Sequence, residues 1–146
     1  MRESSMKPLA GRCILIVEDN FLILLELEST LLNAGARVVS CTALTQAAAR
    51  IDEEEIDAGL LDVRIGMGSI APVAQKLADR GKPFIFYTGQ VAWDPELARW
   101  PEVPVVAKPA PPEVIVKALV QIMPGAYLTE SARQSFAEDQ AKLRPE

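Results

Sequence analysis

The sequence predicts an α/β fold, a doubly wound parallel sheet of five strands with five flanking helices. Three observations carry this. Apolar runs of four or five residues alternate with longer stretches of helical character, as in a parallel sheet covered on both faces. The strand-like runs are nearly unbroken apolar sequence, as befits strands buried on two sides. Glycine and proline fall where helices end and begin, with Gly35 and Gly81 closing two helices and Pro72 opening one. Five βα units with right-handed crossovers give a flavodoxin-like domain with expected strand order 2-1-3-4-5.

Cys13–Val17 is the first strand, and Phe21–Ala34 the first helix, stopped by Gly35. Arg37–Cys41, "RVVSC", is rich in β-branched residues and suits a second strand. Leu44–Ile51 suits a helix with Thr42 or Thr45 near its start, and Ala58–Leu61 is a third strand running into Asp62. The "GMGS" segment reads as a flexible loop before the helix of Pro72. Phe84–Tyr87 is the fourth strand, Asp94–Arg99 a short helix with Pro95 near its start, Pro104–Ala107 the fifth strand and Pro112–Met123 the fifth helix. After Pro124-Gly125 the chain turns polar, with Leu128, Ala132, Phe136 and Leu143 near one helical stripe. This leaves a polar C-terminal tail or a docked sixth helix. The expected organisation is an N-terminal segment 1–11, one domain 12–123 and a C-terminal segment 124–146, without internal repeats.

The 146 residues suit one domain with its own core, and 49% apolar and 24% charged residues are ordinary for a globular protein. A net charge of −5 carries no nucleic-acid footprint. No stretch approaches the ~18 apolar residues of a membrane span, and "MRESSMKPLAG" lacks the apolar region of a secretory signal. Cys13 and Cys41 sit in apolar runs without metal-ligand spacing, so the expectation is reduced core cysteines in a cytoplasmic protein. There is no histidine. That excludes Ser-His-Asp and Cys-His catalysis, histidine metal sites and a phosphohistidine of the chain's own.

The polar residues gather at strand ends. Ligands of open parallel sheets bind outside the carboxyl ends of the strands. Glu18 and Asp19 end the first strand, Asp62 the third, Thr88 the fourth and Lys108 the fifth. With the first, third, fourth and fifth strands adjacent, these five side chains meet on one rim. Three clustered carboxylates repel unless a cation sits among them, and an all-oxygen donor set points to a hard ion, naturally Mg²⁺. A carboxylate, Mg²⁺ and a lysine make a phosphoryl-transfer site, one carboxylate oxygen attacking phosphorus while the cations neutralise the equatorial oxygens. Taken singly, each signal has a plainer reading. Glu-Asp after a strand is commonly a helix cap and dipole partner, Asp62 alone a cap, Thr-Gly a turn and Lys-Pro a loop. Their joint placement outweighs those readings.

"VEDN", "LLDVR", "FYTG" and "VAKP", in this order at strand ends, resemble the receiver domain of response regulators in bacterial two-component signalling. The likeness covers about Arg12 to Met123, and is greatest to a subgroup nicknamed for Phe-Ala-Thr-Gly on the fourth strand. The resemblance implies that Asp62 is the phosphoacceptor. It implies that Mg²⁺ is bound by Asp19, Asp62 and the backbone carbonyl of Arg64, with Glu18 acting through water. Thr88 and Lys108 would engage the phosphoryl group, and Lys108–Pro109 would be a cis peptide. The implied partners are a histidine kinase or histidine phosphotransfer protein and a further downstream protein.

Two positions depart from the family. Val105 stands where most receivers carry a switch Phe or Tyr. Arg64 stands where many have Asn, its guanidinium within reach of the phosphate or of Glu18. Gly89 leaves the site open. No output segment follows the fifth helix, so the expectation is a stand-alone receiver, not a turnover enzyme, acting by protein contact or onward transfer. The alternative is a phosphate-independent adaptor with a vestigial site. A haloacid-dehalogenase-type phosphohydrolase would need a second Asp at position 64, and a P-loop nucleotidase lacks its motif.

The first helix presents a second face. Ile23, Leu27, Thr30, Leu31 and Ala34 make a sufficient core stripe, leaving Phe21, Leu25 and Leu32 on the other side within about 40° of one another. Three readings stand: a docking patch for a kinase or phosphotransfer helix pair, a face covered by the tail stripe, or a homodimer contact. Trp93 and Trp100, seven apart, read as partial core or as part of a partner patch.

Overall fold

The computed structural model describes residues 7–89, 94–124 and 130–143. Along the chain run β1 (Cys13–Val17), α1 (Phe21–Asn33), β2 (Arg37–Cys41), α2 (Leu44–Glu53), β3 (Ala58–Leu61), β4 (Arg64–Ile65), β5 (Gly68–Ser69), α3 (Ala71–Asp79), β6 (Phe84–Thr88), α4 (Pro95–Arg99), β7 (Val105–Ala107), α5 (Pro112–Ile122) and α6 (Glu130–Leu143). Five strands pair in parallel in the order β2-β1-β3-β6-β7. This is the flavodoxin-like order expected from the sequence, with two short strands intervening in the numbering.

Alternation along each strand divides the core in two. Ile14 and Ile16 of β1, Ala58 and Leu60 of β3, and Ile85 and Tyr87 of β6 face α1 and α5. Leu15, Val17, Leu61, Phe84 and Phe86 face α2, α3 and α4. Gly59 in β3 permits close packing, because a Cβ there would lie 2.9 Å from Leu77 Cδ1 and 3.1 Å from Phe84 Cβ. Leu9, ahead of β1, is fully buried in the first cluster, and its N–H donates to the Ala34 carbonyl at 2.9 Å.

The "GMGS" segment is more ordered than a flexible loop. Arg64 pairs with Ser69 and Ile65 with Gly68 in a small antiparallel hairpin, β4–β5. Gly66 turns it at φ +60°, where a side chain would be strained. Ile65 is buried beneath it, which fixes a segment whose composition reads as loop.

α1 begins at Asn20, whose side-chain oxygen accepts from the N–H groups of Leu22 and Ile23. The adjacent carboxylates Glu18 and Asp19 are therefore not its cap and remain for other work. Leu24, Leu27, Leu31 and Ala34 are buried, while Ile23 and Thr30 are half-buried, so the stripe is centred on Leu24 and Leu27. Phe21 (63% exposed), Leu22 (72%), Leu25 (44%) and Leu32 (57%) face outward. Leu22 thus joins the expected outward face.

The C-terminal segment forms α6, which packs on α5 and β7 rather than on α1. Phe136 is buried in the first cluster and Leu143 packs against the second, so α6 straddles the open edge of the sheet. The Gln140 amide takes the place of a neighbouring strand. Its Oε1 accepts from the Val105 N–H, and its Nε2 donates to the Val105 carbonyl, both at 2.8 Å. Covering an edge strand in this way blocks pairing with other chains. Leu128 and Trp93 lie outside the described residues. Trp100 follows α4, with its ring edge-on to Phe84 at 5.4 Å between centroids, which makes it partial core.

Replacing Gln140 by Ala leaves a buried N–H and C=O of β7 without these partners. The expected cost is about 1–3 kcal/mol, read as a lower urea midpoint with an unchanged denaturant slope. An unchanged midpoint would mean that the clamp contributes nothing.

Candidate functional site

The rim above the C-terminal ends of β1, β3, β6 and β7 is built by continuing the strand ladder one residue past each strand. The Glu18 N–H donates to the Cys41 carbonyl, the Asp62 N–H to the Val17 carbonyl and the Lys108 N–H to the Thr88 carbonyl, each at 3.0 Å. Backbone pairing therefore fixes where the side chains of Glu18, Asp62 and Lys108 start. All five rim residues expected from the sequence lie at these strand ends. Glu18, Asp62 and Thr88 are buried, Lys108 is half-buried and Asp19 is exposed.

One lysine holds two of the acids. Lys108 Nζ lies 2.8 Å from Glu18 Oε1 and 2.9 Å from Asp62 Oδ2. Burial pushes the Glu18 carboxyl above the usual glutamate range, opposed by the hydrogen bond from Lys108 and reinforced by the nearby charge of Asp62. Burial works against the Lys108 charge, but the hydrogen bonds to Glu18 and Asp62 outweigh it and raise this amine above the usual lysine range. The Lys108–Pro109 peptide is cis.

Carboxylate oxygens of Glu18, Asp19 and Asp62 all lie within 4.8 Å of one another, close enough to share a metal ion. The donor set is oxygen only, as a hard divalent cation prefers. Asp19 is also tied to the hairpin, its Oδ2 accepting from the Gly66 N–H at 2.6 Å. The hairpin that carries Arg64 thus hangs from one of the three acids.

The Arg64 side chain goes elsewhere than the sequence led us to expect. It meets neither Glu18 nor the rim, but forks onto Asp94, with Nε 2.7 Å from Oδ2 and Nη2 3.1 Å from Oδ1. Asp94 is fully buried at its side chain and also caps α4, accepting from the Glu96 N–H at 2.9 Å. Asp94 offers Arg64 a buried, bidentate partner, whereas the buried rim carboxylates of Glu18 and Asp62 are already held by Lys108. Asp94 followed by Pro95 is an N-cap signature, and it was the available sign that a carboxylate would stand here. Tyr87 was likewise not singled out. Its ring centroid lies 5.6 Å from Lys108 Nζ, and its hydroxyl accepts from the Ala110 N–H at 3.2 Å. Among the described residues, a Cβ on Gly89 would meet nothing within 4 Å.

A doubly wound α/β domain with a lysine-neutralised acidic rim is the class that these observations define. No protein-family model matches the sequence, and no curated protein does. Solved structures do match. SdrG from Sphingomonas melonis Fr1 is 37% identical with a TM-score of 0.66, the match covering 78% of this chain and 96% of that one. A response regulator receiver protein from Sinorhizobium medicae WSM419 is 26% identical over 75% of this chain and 92% of that one, with a TM-score of 0.65. The chemotaxis protein CheY4 of Vibrio cholerae, 21% identical over 78% of this chain and all of that one, shares the fold with a TM-score of 0.68. The chain belongs to the receiver-domain family of response regulators.

The Glu18 shift has a pH consequence in metal-free protein. A carboxyl whose folded pKa is raised binds its proton more tightly when folded. Stability therefore rises as pH falls through the window just above the ordinary glutamate value of about 4.3. Urea unfolding in chelator is expected to show wild type gaining on Glu18→Gln as pH falls through that window. Parallel pH profiles for the two proteins would contradict this.

Proposed function

We propose that this receiver domain accepts a phosphoryl group on Asp62 from a phosphohistidine on a partner, with Mg²⁺ bound at the rim. The observation that carries the reading is the shared grip of Lys108 on Glu18 and Asp62, with the oxygens of Asp19 close by. The chain has no histidine, so the donor imidazole must come from a histidine kinase or a histidine phosphotransfer protein. Asp19, Asp62 and the Arg64 carbonyl would hold Mg²⁺, with Glu18 acting through water. When bound, the ion neutralises charge on the transferring phosphoryl oxygens.

The residues divide the remaining work. An Asp62 oxygen forms the new P–O bond as the P–N bond of the donor breaks. The imidazole leaves with that electron pair and takes a proton from solvent. Lys108, already charged and held between two acids, moves its ammonium onto a phosphoryl oxygen once Asp62 is esterified. Thr88, buried at the end of β6, supplies a hydroxyl on the other side. Phe21, Leu22, Leu25 and Leu32, exposed along the helix that leads away from the rim, give the donor's helices an apolar contact. The protein acts as a cytoplasmic signalling partner rather than a turnover enzyme, its output a contact with a further protein or onward phosphoryl transfer.

Incubation with acetyl phosphate and Mg²⁺, followed by intact mass, tests the reading. Wild type is expected to gain one phosphoryl group, and Asp62→Asn none, because an amide is a far poorer nucleophile than a carboxylate. A phosphoryl adduct on Asp62→Asn would sink the assignment.

Calorimetric titration with Mg²⁺ tests the metal roles. Asp19→Ala is expected to weaken binding on the order of tenfold, about 1.4 kcal/mol. Glu18→Ala should weaken it less, since its contact runs through water. Equal affinity in wild type and Asp19→Ala would remove Asp19 from the ligand set.

A further inference from the structure

We infer that Tyr87 is a positioning residue that couples Lys108 to the cleft between α1 and α5. The inference rests on the phosphoacceptor reading above and goes beyond it, from how the group is received to how its arrival is felt elsewhere. Tyr87 sits beside Thr88 on β6, but strand alternation turns its ring to the α1–α5 side of the sheet. It grips the Lys108 segment twice. The ring lies within cation–π range of the ammonium, 5.6 Å from centroid to Nζ. The hydroxyl accepts from the backbone N–H of Ala110, two residues beyond Lys108. A single buried side chain thus contacts both the charge of the lysine and the loop that carries it.

The same ring is a wall of the cleft. A cavity of about 390 Å³ is lined by Glu26, Leu27, Thr30, Tyr87, Ala110 and Ile115, among others. Its two structural anchors, Tyr87 and Ala110, are the pair joined by the 3.2 Å hydrogen bond. Lys108 holds Asp62 and Glu18 at 2.9 and 2.8 Å, so esterifying Asp62 must move the ammonium, and with it the charge above the Tyr87 ring. A shift of the ring strains its hydrogen bond to Ala110, and both line the cleft with residues of α1. Val105 on β7, buried beneath Gln140, has no ring with which to carry such a signal. Coupling of this kind is reciprocal: whatever fills the cleft changes the ease of loading Asp62 by the same free energy.

Amide chemical shifts of the full chain, recorded with Mg²⁺ before and after adding beryllofluoride as a stable phosphoryl stand-in, test this. Intact mass after acetyl phosphate serves as the control for the chemistry. The variant is Tyr87→Phe, which keeps the ring and its packing and removes only the hydroxyl. Wild type is expected to shift at Thr88 and Lys108, and also at Ala110, Glu26 and Thr30. Tyr87→Phe should still gain the phosphoryl mass and still shift at Thr88 and Lys108, but should lose the response at Glu26 and Thr30. A full wild-type response at those two residues in Tyr87→Phe would overturn the inference, leaving the hydroxyl a satisfied core group. So would a wild type that gains the mass but shows no shift at Glu26 or Thr30. A wild type that gains no phosphoryl mass would overturn the phosphoacceptor reading itself, an outcome distinct from either.

Discussion

Like charges set the terms of this structure. Two carboxylates about 4 Å apart repel by about 4 kcal/mol even at an effective dielectric of ~20, and Glu18 and Asp62 are both buried on adjacent strands. The sheet can close over them because Lys108 arrives from β7, across β6, to lie between them. That places a demand on the whole fold. The strand order must bring the end of β7 within one lysine's length of the end of β1, and the backbone bond from Lys108 to Thr88 must hold it there. Neutralisation is incomplete, since Asp19 adds a third acid and its oxygens stay within 4.8 Å of the others. The residual negative charge, on oxygen donors alone, is of the kind that suits a hard divalent cation.

The rim is also mechanically wired to the loops around it. Asp19 holds the tip of the β4–β5 hairpin through Gly66, and the same hairpin projects Arg64 onto Asp94 at the start of α4. A cation drawing Asp19 inward would pull on that hairpin, and the hairpin's guanidinium is the strut that seats α4. Lys108 is joined through Tyr87 and Ala110 to the opposite side of the sheet. Asp19 and Lys108 therefore each have a second attachment in a different element. A change of charge at one carboxylate need not travel far to be felt on both faces.

What could be read from the sequence follows from what periodicity and local chemistry encode. β1, β2 and β3 begin and end where apolar runs meet Glu18, Thr42 and Asp62, and the rim residues were legible because they terminate those runs. The β4–β5 hairpin was not, since "GMGS" has loop composition and its order comes from Ile65 being buried and from the bond between Asp19 and Gly66. The partner of Arg64 was not either. Two plausible anions lay near it in sequence logic, whereas Asp94 lies thirty positions along and is chosen by burial and bidentate geometry. Tyr87 was hidden for a related reason: a tyrosine in a strand reads as packing, and only the position of Ala110 in space gives its hydroxyl a partner. The tail's place on β7 turned on a side chain, Gln140, whose role as a stand-in strand has no sequence signature.

The two ends of the sheet order explain why the α1 face and the α6 face differ. β7 is an edge, with unpaired backbone groups that attract other chains, and α6 with Gln140 covers Val105 there. Among the described residues, α6 is anchored by Phe136, Gln140 and the partial contact of Leu143. α1 has the opposite character: its core stripe is secured by Leu24, Leu27 and Leu31, yet it also presents four large apolar side chains outward. Solvent-facing Phe and Leu on a firmly seated helix give the fold nothing in stability. Their presence on the helix that follows the acidic rim is more economically explained by contact with a partner, the phosphodonor under the function proposed above, than by packing. Among the described residues the tail, committed to the β7 edge, leaves this face uncovered.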